Sequence, residues 1–134
     1  MPLRDYEQLD EDDFYGQDFG KDGVVSIWVG LSDACEAQEG IDVLQDLCGV
    51  GYYDIDNQEV IIHQEPSLVA DLVGALSYSE SFSEAVVRAA AVMAVERAWW
   101  VVAQYDFAYD PARVKRPVAV DPRFLGVFGY HIPE

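Results

Sequence analysis

Along this chain, apolar positions alternate with polar ones in some stretches and recur at helical spacing in others. The longest strand-like stretch is Ala98-Trp-Trp-Val-Val-Ala-Gln-Tyr-Asp-Phe-Ala-Tyr109. At period two, Trp99, Val101, Ala103, Tyr105, Phe107 and Tyr109 share one face, and Trp100, Val102, Gln104, Asp106 and Ala108 share the other. The first half is apolar on both faces, while the second half alternates with polar residues. That pattern predicts a central strand, covered on both sides at its start and half-exposed towards its end. Its β-branched and aromatic content agrees with a strand rather than a buried helix. Adjacent tryptophans on such a strand point to opposite faces, so two layers are expected to meet at Trp99 and Trp100.

The same reading places further elements around it. Val24-Val-Ser-Ile-Trp-Val-Gly30 predicts a first strand, ended by Gly30 at a backbone angle that residues with a Cβ avoid. Ser32 or Asp33 then caps a helix reaching about Cys48, with Ile41, Leu44, Leu47 and Cys48 at helical spacing. Gly49-Val-Gly51 stops it. Tyr52-Tyr-Asp-Ile-Asp-Asn57 runs into a turn, and Glu59-Val-Ile-Ile-His63 predicts a short strand. Pro66 and Ser67 open a helical segment carrying Leu68, Val69, Leu72, Val73 and Leu76. Two Ser-x-x-Glu capping boxes follow, Ser77 with Glu80 and Ser81 with Glu84, so two helices are expected to meet at that bend. The second helix carries Phe82, Ala85, Val86, Ala89, Ala90 and Met93 on its apolar face. After Asp110-Pro111 comes a basic loop with Arg113, Lys115 and Arg116, and Phe124–Ile132 predicts the last strand. In that strand Gly126 and Gly129 mark a bulge or a close backbone approach.

The order of elements gives an α+β class: one domain with a mostly antiparallel sheet of about four strands and helices packed on it. A strand–helix–strand opening leaves a parallel pair as the alternative. Residues 24–134 form this domain. Residues 1–23 form an acidic lead-in, expected to be only partly ordered, whose aromatics Phe14, Tyr15 and Phe19 can dock it.

Length and composition agree with a single packed domain: 134 residues, 51% hydrophobic and 13% aromatic. No apolar run reaches the ~18 residues of a membrane-spanning helix, and the N-terminus is acidic where a secretory leader is basic, so a cytoplasmic protein is expected. Charge changes the picture more. The net charge is −17, divided as −18 over residues 1–87 and +1 over residues 88–134. From Asp22 to Val87 there are 13 acidic residues and no Lys or Arg. Such a surface repels phosphates and anionic lipids, which argues against direct nucleic-acid or membrane binding, and it suits a basic protein partner.

Candidate chemistry is sparse. Cys35 and Cys48 are too few for a disulfide framework, and no close Cys or His pair suggests zinc. Neither His63 nor His131 has a ligand-type partner at helical spacing. No Gly-x-Ser-x-Gly elbow and no phosphate-binding glycine loop is present. Asp54 with Asp56, or Asp106 with Asp110, can be drawn as paired carboxylates, but aspartates in turns ordinarily bond their own backbone. No metal, cofactor or catalytic residue is therefore expected.

Five motifs occur together in order: Val-Ser-Ile-Trp-Val-Gly at 25–30, Tyr-Tyr-Asp at 52–54, Ser-Tyr-Ser-Glu-Ser-Phe at 77–82, Tyr-Asp-Phe-Ala-Tyr-Asp at 105–110 and Phe-Leu-Gly-Val-Phe at 124–128. In this combination the chain resembles the immunity protein 22 family of bacterial polymorphic toxin systems. The resemblance runs from about Val24 to the C-terminus and leaves the lead-in outside. It implies a non-enzymatic protein that binds a toxin and protects the producing cell, and it brings no catalytic residues with it. Charge points the same way, since a nuclease-type toxin must present a basic face to hold phosphates. Glu36, Glu39, Asp46, Asp54 and Asp56 are the carboxylates expected to share the binding face. The alternatives are a small hydrolase or metal-dependent enzyme using Asp54, Asp56 or His63, and an interaction adaptor unrelated to toxins.

Overall fold

A computed structural model describes residues 17–31, 43–114, 118–119 and 121–131. Four strands form one sheet: β1 (Gly20–Gly30), β2 (Gln58–Leu68), β3 (Arg97–Phe107) and β4 (Arg123–Gly129), in the spatial order β2-β3-β1-β4. Every adjacent pair is antiparallel. β1 and β2 therefore run in the same direction but with β3 between them, so the opening of the chain makes no adjacent parallel pair. Two helices, α1 (Val69–Gly74) and α2 (Ser83–Val92), connect β2 to β3. The class is α+β, with one sheet and helices packed on it. No helix among the described residues is long and apolar enough to cross a membrane.

Each face of the sheet carries its own core. On the helix side, Val25, Ile27 and Val29 of β1 and Val101, Ala103 and Tyr105 of β3 pack under α1 and α2, which contribute Leu72, Val73, Val86 and Ala90. On the other side, Trp28, Trp100 and Val102 pack with Phe19, Leu44, Cys48, Val50, Phe107 and Tyr109. The segment between β1 and β2 supplies this second cover. Of the helix expected there, the described part is a single π-helical turn, Val43–Leu47, with Leu44 buried. Cys48 is buried in this second core, and Cys35 lies outside the described residues.

The middle of β3 keeps its alternation, and both ends lose it. Asp106 has a left-handed backbone (φ 56°), and a five-residue step of β1 from Gly20 to Val25 faces the two-residue step from Phe107 to Tyr105. This bulge turns Phe107 and Tyr109 away from Tyr105 and into the second core, contrary to the expected shared face. At the other end Ala98 joins the helix-side core, while Trp99 is half-buried and packs against the same cluster as Trp100. The two tryptophans therefore do not divide between the layers. The matching irregularity lies in β2, where Ile62 faces Trp100 but Ser67 faces Ala98.

β2 corrects a boundary as well. It runs through Pro66 and Ser67 to Leu68, and α1 begins only at Val69. Proline is tolerated there because β2 is an edge strand, and it falls within the bulge where no ladder hydrogen bond is needed from it. The expected serine caps are also absent. Phe82 occupies the N-cap position of α2 with no side-chain cap bond. Ser81 Oγ instead donates to Tyr78 O (2.7 Å) and accepts from His131 N (3.0 Å), while Ser77 donates to Glu59 from both its backbone and its hydroxyl. These serines tie the bend to neighbouring strands rather than to a helix end. Gly30 needs its missing side chain for space and has no left-handed backbone: a Cβ there would lie 1.9 Å from the Trp100 ring. Gly126 does sit at a bulge, with φ 143°, where β4 steps from Ile27 to Trp28 of β1.

Candidate protein-binding surface

The end of β3 and the turn before β2 build the most sharply defined hollow. Its anchor is Gln17, which is buried. Gln17 Nε2 donates to Gly49 O (2.8 Å) and Gly51 N donates to Gln17 Oε1 (3.0 Å), so one amide fixes the chain leaving the π-helical turn. Tyr52 and Tyr53 follow, and then a 3-10 turn over Ile55–Asn57. Asp54 caps that turn, its Oδ1 accepting from Asp56 N at 3.0 Å. Gln104, buried on β3, donates from Nε2 to Asp54 O at 2.7 Å and holds the turn against the sheet. A buried amide is satisfied only if the partner backbone stays in place, so Gln17 and Gln104 make this region rigid.

The Asp106 bulge shapes the opposite wall. Asp106 Oδ1 accepts from Gly23 N (3.0 Å) and from the Tyr130 hydroxyl (2.6 Å), which fixes the left-handed turn. Ser26 closes it from beneath, donating to Phe107 O (2.6 Å) and accepting from Tyr109 N (3.0 Å). Phe107, thus redirected, meets Phe19 edge-on at 5.4 Å between ring centroids. Between this wall and the turn lies a hollow of about 460 Å³, lined among others by Asp18, Phe19, Tyr52, Tyr53, Asp54 and Gln104. Tyr52 is 65% exposed. The Arg113 guanidinium lies 5.4 Å over the Phe19 ring and donates to Asp18 O (3.3 Å) on the same rim.

An apolar strip runs from the hollow along β2. The register sets Gln58 opposite Gln104, Val60 opposite Val102 and Ile62 opposite Trp100, so these β2 side chains share the face of the second core. Ile55, Val60 and Ile62 are nonetheless 61%, 37% and 46% exposed. The surface thus combines exposed apolar groups with the carboxylates of the turn, a composition more typical of a protein contact than of a solvated face.

Of the five carboxylates expected to share a face, the turn brings Asp54 and Asp56 together, both exposed, and Asp54 lines the hollow. Asp46 is exposed on the π-helical turn, and Glu36 and Glu39 lie outside the described residues. Sequence reasoning missed Asp18, Gln17 and Gln104, and named Phe19 only as an aromatic that can dock the lead-in; it packs in the second core. The signal for Gln104 was a lone amide in an apolar strand, which must find a buried partner.

The residues considered for catalysis make local structural contacts. Asp54 and Asp56 form the capped turn. His63 Nδ1 lies 2.7 Å from Ser67 Oγ across the β2 bulge, and that hydroxyl also reaches Glu65 O at 3.3 Å, so the His63 contact is local to β2. Among the described residues no group of three or more His, Cys, Asp or Glu is placed to hold a metal ion.

On the helix side a polar cluster joins β2 to the bend. Burial alone would raise the Glu59 carboxyl, but hydrogen bonds from the Ser77 hydroxyl and backbone and from Tyr105 hold it below its ordinary value. Burial, with the Glu59 charge beside it, pushes the Tyr105 hydroxyl well above the usual tyrosine value. Tyr130 is pushed up to about 12 by burial and by its bond to Asp106, and Tyr109 to about 12 mainly by burial.

Comparison of the chain with protein-family models, with curated proteins and with solved structures gives no match.

Proposed function

We propose that this protein is a stoichiometric inhibitor of a basic protein, acting as the immunity partner of a bacterial toxin in the cytoplasm of the producing cell. It would work by binding and not by catalysis. The observation that carries this reading is the joint placement of charge and apolar exposure: Asp54 and Asp56 stand beside the exposed Tyr52, Ile55, Val60 and Ile62, in a 66-residue interval without Lys or Arg. Carboxylates steer a basic surface towards the contact, and the apolar groups supply its buried centre. A nuclease-type toxin fits best, because the face that binds phosphates must be basic, and an acidic inhibitor seated there competes with nucleic acid. The family resemblance over Val24 to the C-terminus leads to the same class of partner. The test is co-expression with the product of each neighbouring gene. The toxic neighbour's product should become harmless and co-purify at one fixed ratio. Growth arrest unrelieved by this protein, for every toxic neighbour, would contradict the assignment.

A further inference from the structure

We infer that the hollow between Tyr52–Asp54 and the Asp106 bulge receives an arginine side chain of the partner; this rests on the proposed function and locates the centre of its contact. Three observations converge. The hollow holds about 460 Å³, room for one extended side chain, and its walls are aromatic. Planar guanidinium groups stack on such rings while their N–H groups reach for acceptors at the edge. Asp18, Asp54 and Asp106 are among its lining residues, so a cation is favoured there over a neutral group of equal shape.

The rim already shows this chemistry from within the chain. Arg113 places its guanidinium over the buried Phe19 ring and donates to the Asp18 carbonyl, so that corner is filled from within the chain and the exposed Tyr52 ring is the one open to a partner. Tyr52, exposed on the other side, offers a second ring with Asp54 beside it. Gln17 and Gln104 hold both sides in place before binding, so little ordering is required. A lysine fits less well, because its compact ammonium does not stack as a plane.

Two other places were weaker. The apolar groove of Leu68, Val87, Ala91 and Val95 shows no feature that selects an occupant. The hollow of Tyr78, Glu80, Ser81 and His131 is shallow, and Ser81 is already engaged there.

The test is an NMR titration of the full chain with the capped peptide Ac-Gly-Arg-Gly-Arg-Gly-NH2 and with its citrulline counterpart, which keeps the shape and loses the charge. Amide shifts should concentrate at Tyr52, Tyr53, Asn57, Gln104 and Phe107 with the arginine peptide and be absent with citrulline. Tyr52→Ala and Asp54→Asn should each weaken binding by about fivefold, while Asp71→Asn on α1 should leave it unchanged. Equal shifts from both peptides, shifts spread over all surface carboxylates, or equal weakening by Asp71→Asn would overturn the inference. So would a Tyr52→Ala/Asp54→Asn double variant, folded by its spectrum, that protects against the toxin as well as the unaltered chain does. That last result would leave the proposed function standing. Failure of the unaltered chain to protect would remove the proposed function instead, and the peptide titration would still decide the hollow by itself.

Discussion

Single residues decide where the sheet closes on itself. Trp100 is fully buried and lies against Gly30, whereas Trp99 is half-buried. Trp100→Ala should therefore cost about 3–5 kcal/mol, and Trp99→Ala roughly 1–2 kcal/mol, both read from denaturant unfolding. Equal losses would mean that the two rings are equally buried. Gly30→Ala should reach the upper end of the ~1–3 kcal/mol cost of overpacking, because the added methyl meets a ring that the second core holds in place. A neutral Gly30→Ala would show that the Trp100 ring can move aside. The apolar alternation that placed β3 at the centre was legible in the sequence because burial on both faces leaves a plain pattern. The breaks at Trp99 and Asp106 were not, because a bulge depends on the partner strand: Asp106 adopts its left-handed turn only where Gly23 N and Tyr130 can bond its carboxylate.

Elements were legible where periodicity was long and obscure where side chains bridge distant segments. The inner face of α2 was readable in part: Phe82, Val86 and Ala90 are buried, whereas Ala85 and Met93 are exposed and Ala89 is half-buried. The capping boxes at Ser77 and Ser81 were misleading, because long-range partners outcompete a local cap when a strand lies within reach. Glu59 of β2 takes the hydroxyl and backbone of Ser77, and the chain after β4 takes Ser81. Ser81→Ala should cost about 0.5–1.5 kcal/mol by loosening residues around His131, seen as faster amide exchange there rather than as fraying of α2. Fraying confined to Ser83–Val86 would restore the capping role.

The Glu59 cluster makes the same point through pH. Its carboxyl is held below the ordinary 4.5 in the folded state, so its contribution is fully present above that pH and is lost as pH falls through the lowered value. The stability gap between the unaltered chain and Glu59→Gln should be constant at neutral pH and shrink on acidification. A gap that widens in acid would reverse the sign. Tyr109 and Tyr130 act at the other end of the scale. Their folded values are raised to about 12, so their contribution is intact below the ordinary value of 10 and disappears as pH climbs through 12. Tyrosinate absorbance should accordingly show a late phase that coincides with unfolding. The exposed Glu84–Arg88 pair, at 3.3 Å, contributes only about 0.3–0.5 kcal/mol.

At the scale of the whole molecule, charge and fold divide the labour. The sheet is antiparallel and covered on both faces, and Trp28 and Trp100 are buried on the side away from the helices. The surface left over on the side of Tyr52–Ile62 is acidic and partly apolar. The strongly uneven charge was plain from the sequence, and so was the Asp54–Asp56 turn. The hollow beside it was not, since it exists only because Gln17 reaches Gly49 and Gly51 from 32 and 34 residues away. The central claim is that this surface draws in a basic protein. The measurement that tests it most directly is the association rate with the proposed toxin partner, inactivated, followed by stopped flow across a salt series. Screening shortens from ~10 Å at 0.1 M to ~3 Å at 1 M, so the rate should fall steeply with salt, and Asp54→Lys with Asp56→Lys should slow association far more than Asp71→Lys does. A rate indifferent to salt, or a partner domain that is itself acidic, would contradict the account.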